Sequence, residues 1–219
     1  KNYLESIISA KSIILEQGRK FFEEYRPMDR LTARKLISLP SEKKILIYVG
    51  YYYSLKGVDV ILRVFQKLKQ EYDILLIVIG GSREDELFED VIRTDAIDCG
   101  MVDNNDLIKY YSSADVYITG AFNNSWVIYG GVSTSIIEAM ACNLPVVSAQ
   151  LKNFSSDEVN RVGEIPEDED GLYRKIRKVL DSPENYSPRE VAQKYYDFRA
   201  VITKNQDIYN FLFNKYYGC

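Results

Sequence analysis

The middle of the chain alternates between short apolar runs and longer amphipathic segments. The apolar runs predict buried strands, which are ILIYVG (45–50), ILLIVIGG (74–81), AIDCG (96–100), DVYITG (115–120) and PVVSAQ (145–150). The segments between them have apolar residues at helical spacings and predict helices over 58–70, 83–93, 104–114 and from about residue 131. Strands that alternate with long helices favour a parallel sheet covered on both faces. The pattern therefore predicts an α/β fold, a doubly wound Rossmann-like parallel sheet, over about residues 42–183.

Helical segments are predicted on both sides of this domain. Residues 1–41 carry Leu, Ile and charged residues at helical spacings, and we interpret them as a helical lead-in and a candidate remnant of an interdomain region. Residues 184–219 predict a C-terminal helical extension, because an amphipathic region begins at Pro188 and continues almost to the end of the chain.

Composition narrows the class of protein. The 219 residues are 46% hydrophobic and 27% charged, which is typical of a globular chain, and the net charge of −4 gives no general attraction for nucleic acid. No apolar run approaches the roughly 20 residues that span a bilayer, so we expect a soluble, cytoplasmic protein. Histidine is absent, and the three cysteines lack a C-x-x-C spacing, so we expect neither a zinc site nor a disulfide framework.

In a doubly wound sheet, ligands bind at the loops that follow the carboxyl ends of the strands. The first such loop, VGYYYSLKGVD (49–59), has neither the G-x-G-x-x-G nor the G-x-x-x-x-G-K-[ST] spacing, which disfavours a dinucleotide-dependent dehydrogenase. It does place Lys56 just before a predicted helix, where the lysine charge and the backbone N–H groups would both attract phosphate. The alternative is that Lys56 is an ordinary solvent-facing lysine.

The segment YGGVSTSIIEAMACNLPVVS (129–148) predicts a helix with two different faces. The apolar face contains Ile136, Ile137, Ala139 and Met140, and the other, small and polar, contains Gly131, Thr134, Ser135, Glu138 and Cys142. Phosphate at the helix start and ribose hydroxyls at the carboxylate would together seat a nucleotide along the polar face. The alternative is an ordinary amphipathic helix whose solvent-facing side has small residues.

The chain resembles the C-terminal, donor-binding domain of the retaining glycosyltransferases with the GT-B fold, a group that includes glycogen synthases and many mannosyltransferases. Four blocks carry the resemblance: YVGYYYSLKGVDVILRVFQKL (48–68), LLIVIGG (75–81), CGMVDNNDLIKYYSSADVYI (99–118) and IIEAMACNLPVVSAQ (136–150). They lie within about residues 33–215. The resemblance therefore implies that the chain is one half of a GT-B fold.

The resemblance also implies a donor site. Its residues are Gly50, Tyr51, Lys56, Gly100, Met101, Val102, Gly131, Val132, Ser133, Thr134 and Glu138. Lys56 would contact the donor diphosphate and act in catalysis, and the segment 100–102 would lie against the base. Backbone N–H groups at 132–134 would reach the phosphates, and Glu138 would bind the ribose.

Two positions depart from the family pattern. Tyr51 stands where the family usually has an arginine, and Gly130 stands where it usually has a glutamate that contacts the donor sugar. The segment GAFNNSWVIY (120–129) is longer than the usual connection. Asn123, Asn124 or Trp126 could supply the lost contact; alternatively, Trp126 and Ile128 only pack the loop.

The resemblance implies transfer of a hexosyl group from a UDP-, GDP- or ADP-sugar to a glycan or a lipid-linked acceptor, without a cofactor or a metal. The acceptor-binding N-terminal domain would then come from the same gene or a partner chain, and any peripheral membrane contact would be made by that domain. This chain would bind a nucleotide sugar, would not bind nucleic acid, and would be inactive alone. Two alternatives stay open: a noncatalytic, degenerate binding or assembly module, and an NAD(P)-dependent oxidoreductase.

Overall fold

A computed structural model describes residues 21–129 and 131–217, and its centre is one sheet of six parallel strands in the order β3-β2-β1-β4-β5-β6. The strands are β1 (Lys44–Val49), β2 (Ile74–Ile79), β3 (Ile97–Asp98), β4 (Val116–Ile118), β5 (Val146–Val147) and β6 (Gly163–Glu164). The first five strands confirm the predicted ones, and four of them, β2 to β5, are shorter than predicted. The sixth was not predicted, because it has only two residues and no apolar run, and its pairing with β5 alone defines it.

Helices connect the strands and cover the sheet. They are α1 (Phe21–Glu24), α2 (Arg30–Leu36), α3 (Val58–Leu68), α4 (Phe88–Arg93), α5 (Asn104–Ser113), α6 (Ser125–Tyr129), α7 (Thr134–Ala141), α8 (Ser156–Val162), α9 (Glu169–Asp181), α10 (Pro188–Tyr196) and α11 (Phe198–Tyr217), with 3-10 turns at Ser54–Lys56, Ala149–Asn153 and Pro183–Asn185. The predicted doubly wound fold is therefore confirmed.

One predicted helix, over 83–93, is wrong in its first half, since α4 begins only at Phe88. The preceding residues hold the loop after β1 instead: the Asp85 carboxylate accepts a hydrogen bond from the Tyr52 N–H at 2.8 Å, and the Leu87 N–H donates to the Tyr52 carbonyl at 3.0 Å. Residues 83–87 therefore bind the loop after β1 and do not form the first turn of the predicted helix. The N-cap residue of α5 is Asp103, whose side chain accepts a hydrogen bond from the Asn105 N–H at 2.8 Å.

Alternate residues of β1 are buried on opposite faces of the sheet. Ile45 and Ile47 belong to the core cluster that includes the apolar side of α7, whereas Leu46 and Tyr48 belong to the cluster with α3 and α9. Complete burial of such a side chain stabilises the fold by about 1.5–3 kcal/mol. Helices on both faces are therefore a consequence of strands that are apolar at successive positions.

The lead-in segment is anchored to the sheet domain through a buried ion pair. Arg34, which is 3% exposed, donates to Asp115 Oδ2 at 2.8 Å, and the same oxygen accepts from the Ile45 N–H at 2.7 Å. The Arg34 guanidinium also donates to the carbonyls of Ser113 and Lys43. The domain boundaries at 41 and 183 stay predictions, and residues 1–20 lie outside the described residues.

Candidate functional site

A cleft of about 460 Å³ lies at the carboxyl ends of β1, β2 and β4. It brings together most of the predicted site residues: Gly50, Tyr51, Lys56, Met101, Val102, Ser133, Thr134 and Glu138. Ser135, predicted on the polar face of the helix, also lines the cleft. Seven further residues that the sequence analysis did not identify complete it: Tyr48, Val49, Ile79, Gly80, Asn104, Leu107 and Tyr117. Segments that are far apart in the sequence therefore form one concave site, at the edge where doubly wound sheets bind ligands.

Lys56 lies at the end of the 3-10 turn and lines the cleft in a half-buried position. Burial lowers the pKa of Lys56 below its usual range, because removal from water disfavours the charged form. The next residue, Gly57, has φ +74° and packs directly against Gly120. The loops after β1 and β4 thus pack directly against each other, which places Lys56 in the cleft, and its contact with a diphosphate stays a prediction.

The start of α7 contributes the second part of the cleft. The helix begins at Thr134, and its N-cap Ser133 makes no side-chain capping hydrogen bond. The first N–H groups of a helix have no acceptor within the helix, and the helix dipole adds a partial positive charge there. Since Ser133, Thr134 and Ser135 all line the cleft, this end of the helix favours an anion.

Gly131 and Val132 are not among the residues that line the cleft. Gly131 has φ +66° and precedes the helix, and its carbonyl accepts from Gln150 Nε2 at 2.6 Å. Val132 packs against the core that includes α7. The helix therefore starts later than the predicted position near residue 131, and a contact of these two residues with the ligand stays a prediction.

Glu138 lies one turn further along α7 and lines the cleft with an exposed fraction of only 4%. Its carboxylate accepts a hydrogen bond from Tyr111 Oη at 2.9 Å. Cys142, predicted on the same polar face, is instead buried in the core cluster, and burial raises its pKa to about 12. The prediction of one continuous polar face is wrong at Cys142, because the residues that follow Glu138 pack into the core.

Two tyrosines of the cleft come from the ends of strands. Tyr48 Oη donates to the Tyr51 carbonyl at 2.8 Å, and Tyr117 Oη donates to Ser135 Oγ at 2.8 Å. The only signal in the sequence was the position of each tyrosine one or two residues before a strand ends. These hydroxyls fix the orientation of the first loop and of the start of α7.

The loop after β3 is held by hydrogen bonds to a single carboxylate. Asp98 Oδ1 accepts from the Gly100 N–H at 2.9 Å and from Tyr52 Oη at 2.6 Å. Beyond this anchor, Met101 is 75% exposed at the cleft and Val102 is half-buried. A planar ring bound in the cleft beside this loop would therefore contact backbone and apolar side-chain atoms.

The two asparagines of the long connection 120–129 do not line the cleft. Asn124 Nδ2 donates to the Leu55 carbonyl at 2.7 Å and Asn124 Oδ1 accepts from the Val127 N–H, so this residue starts the short helix α6. Asn123 does not line the cleft, and Ile128 is exposed, so it does not pack the loop. The Trp126 side chain and Gly130 lie outside the described residues.

Residues 21–129 and 131–217 contain neither a metal-ligand cluster nor a membrane-spanning helix. No group of three or more His, Cys, Asp or Glu in these ranges could hold a metal ion. No helix within the same part of the chain is long and apolar enough to cross a membrane.

Comparison with known proteins places the chain in a family. The family model described as glycosyl transferases group 1 matches residues 29–196. The chain belongs to this family. A glycosyltransferase of Methanocaldococcus jannaschii is 24% identical over 191 residues, covering 83% of this chain and 44% of the relative. D-inositol 3-phosphate glycosyltransferase 2 of Catenulispora acidiphila is 29% identical over 153 residues, covering 61% and 34%. The chain spans less than half the length of these two glycosyltransferases.

Several solved structures share the fold of this chain. Sucrose-phosphate synthase from Thermosynechococcus elongatus has a TM-score of 0.77 at 22% identity, over 98% of this chain and 56% of the synthase chain. HepE from Anabaena, in complex with UDP-glucose, has a TM-score of 0.69 at 17% identity over 91% of this chain and 57% of its own. The C-terminal domain of the group 1 protein LpcC from Francisella tularensis has a TM-score of 0.60 at 19% identity, over 84% of this chain and 97% of its own. The predicted resemblance to a GT-B glycosyltransferase domain is confirmed.

Proposed function

We propose that this chain binds a nucleotide-diphosphate sugar and is the donor-binding half of a retaining glycosyltransferase, which moves a hexosyl group to a glycan or lipid-linked acceptor. One observation carries the proposal: Lys56, the start of α7 and Glu138 line the same cleft. A cation and a helix N-terminus suit a diphosphate, and a carboxylate suits the hydroxyls of a ribose. Each group is common alone, whereas their combination in one cleft matches a nucleotide.

In this proposal the diphosphate is bound by Lys56 and by the first N–H groups of α7. Negative charge develops on the diphosphate as its bond to the sugar breaks, so fixed positive charge at this position lowers the barrier. Lys56 is therefore the catalytic residue of this half. The scheme takes no cofactor, since the reacting group arrives on the donor.

The nucleoside would occupy the rest of the cleft. The ribose lies at Glu138, and the base lies at the loop 100–102, whose backbone Asp98 anchors. Among UDP-, GDP- and ADP-sugars, a UDP-sugar is the first candidate because the structurally similar HepE was crystallised with UDP-glucose.

The acceptor would be bound by a second domain, encoded in the same gene or supplied by a partner chain. The chain covers 97% of the LpcC C-terminal domain and 56% of sucrose-phosphate synthase, which supports a role as one half of a larger enzyme. Alone it would bind the donor without transferring the sugar. Any contact with a membrane would be made through the second domain.

A second candidate is a noncatalytic module that keeps the fold for partner contact. Tyr51 favours it, because an aromatic residue that is 56% exposed lines the cleft where the family usually has an arginine. Without that cation, the expected affinity for a diphosphate is lower. The two functions differ in whether the cleft still binds a nucleotide.

Isothermal titration calorimetry with UDP, GDP, ADP and NAD tests the proposal. We expect a nucleoside diphosphate to bind and Lys56→Ala to weaken that binding about tenfold, or about 1.4 kcal/mol. The matched control is Lys69→Ala, because Lys69 lies beyond the end of α3 and pairs with Asp95 outside the cleft. Binding of none of the diphosphates would support the noncatalytic module, and binding of NAD alone would support an oxidoreductase. Equal affinities for Lys56→Ala and Lys69→Ala would show that the diphosphate lies elsewhere.

A further inference from the structure

The carboxylate of Glu138 accepts a hydrogen bond from a buried tyrosine that does not line the cleft. Glu138 and Tyr111 are both almost fully buried, and Tyr111 Oη donates to Glu138 Oε2 at 2.9 Å. A carboxylate that loses water must regain hydrogen bonds from the protein, and bonds to a charged acceptor are stronger than neutral ones. The hydroxyl of Tyr111 therefore stabilises one orientation of the Glu138 side chain.

Tyr111 is itself fixed by its surroundings. Its ring contacts Tyr25 edge-on with the centroids 6.0 Å apart, and its centroid lies 6.2 Å from that of Tyr117. Burial and the nearby Glu138 raise the pKa of Tyr111, so its hydroxyl stays protonated at neutral pH and can donate a hydrogen bond. Tyr111 is thus a hydrogen-bond donor fixed by its packing, and its acceptor, Glu138, lines the cleft.

Tyr111 does not line the cleft, whereas Glu138 does. Any effect of the Tyr111 hydroxyl on a ligand in the cleft must consequently pass through Glu138. We propose that Tyr111 is a positioning residue, whose hydroxyl holds one oxygen of the Glu138 carboxylate so that the carboxylate can accept hydrogen bonds from both ribose hydroxyls of a nucleotide. This inference rests on the proposed function and adds the element that gives the site its selectivity for a ribonucleotide.

The test compares UDP with 2′,3′-dideoxy-UDP, which lacks the two hydroxyls, by calorimetry. We expect Tyr111→Phe to weaken UDP binding about fivefold, because the Glu138 carboxylate loses a hydrogen bond that orients it, and to leave the affinity for the dideoxy analogue within about twofold. Glu138→Gln is expected to show the same selective loss. Tyr110→Phe is the matched control, because the neighbouring tyrosine of α5 contacts Cys99 instead of Glu138 and should change neither affinity.

A purely structural role for Tyr111 would weaken both nucleotides equally, and that result would overturn the inference. An unchanged UDP affinity in Tyr111→Phe, with a selective loss in Glu138→Gln, would overturn the inference while leaving the proposed function intact. Failure of UDP, GDP and ADP to bind the unaltered chain would instead overturn the proposed function and, with it, the role in ribose selection.

A second measurement needs no nucleotide. The ¹³C carboxyl resonance of Glu138, assigned from its loss in Glu138→Gln, should move in Tyr111→Phe and stay in place in Tyr110→Phe. A resonance that stays in place in Tyr111→Phe would show that the hydroxyl does not hold the carboxylate in solution, which also overturns the inference.

Discussion

The close contact between the loops after β1 and β4 makes Gly57→Ala the most informative stability variant. A Cβ at residue 57 would lie 2.0 Å from the carbonyl carbon of Gly120 and 2.3 Å from the N atom of Ala121, so two backbone segments would have to separate. The residue also has φ +74°, which costs a residue with a Cβ roughly 1–2 kcal/mol. Adding about 1–3 kcal/mol for overpacking gives an expected loss of about 2–5 kcal/mol.

Gly100→Ala is the matched control for this prediction. Gly100 has φ +57°, yet a Cβ at this position would have no atom within 4 Å, so only the backbone term of roughly 1–2 kcal/mol applies. Urea unfolding at 25 °C, followed by circular dichroism, gives both free energies of unfolding, and equal m-values would show that the unfolded states are comparable. If Gly57→Ala were no less stable than Gly100→Ala, the close approach of the two loops would be refuted.

Two further predictions concern buried charge. We expect Asp115→Ala to lower the free energy of unfolding by about 3–5 kcal/mol, because it leaves the Arg34 guanidinium buried without its carboxylate. The control is Asp73→Ala, which removes the exposed pair of Asp73 with Lys43 and should cost under about 1 kcal/mol. Similar losses for the two variants in urea unfolding would contradict the argument. Since burial lowers the pKa of Lys56, its charge is lost at a lower pH than for a free lysine, so UDP affinity should fall as the pH rises through the alkaline range. Calorimetry on Lys56→Arg, which keeps its charge, should give a flatter pH profile, and equal profiles would exclude Lys56 as the cause.

Two charged residues of the site could be predicted from local sequence, whereas the loop residues at 50–51 and 101–102 were implied by the family resemblance. Lys56 and Glu138 were identified because a lysine before a helix and a carboxylate on a small polar face have recognisable spacings, and both line the cleft. Tyr117 and Ser135 were missed as a pair, since a hydrogen bond between a strand and a later helix has no periodic signal. The predicted start near residue 131 differs from the observed start of α7 at Thr134 because the sequence does not fix where a helix begins to within a few residues.

The sequence by itself determined the alternation of strands and helices, since apolar runs and amphipathic spacings are local properties of the chain. It also determined the presence of a cation and a carboxylate in loops and helices that follow strands. Only the tertiary structure decided that α4 starts at Phe88, that Cys142 enters the core, and that β6 completes the sheet. The hydrogen bond from Tyr111 to Glu138 belongs to this second group. Such features depend on contacts between segments distant in sequence, whose geometry is set by packing rather than by the spacing of residues within one segment.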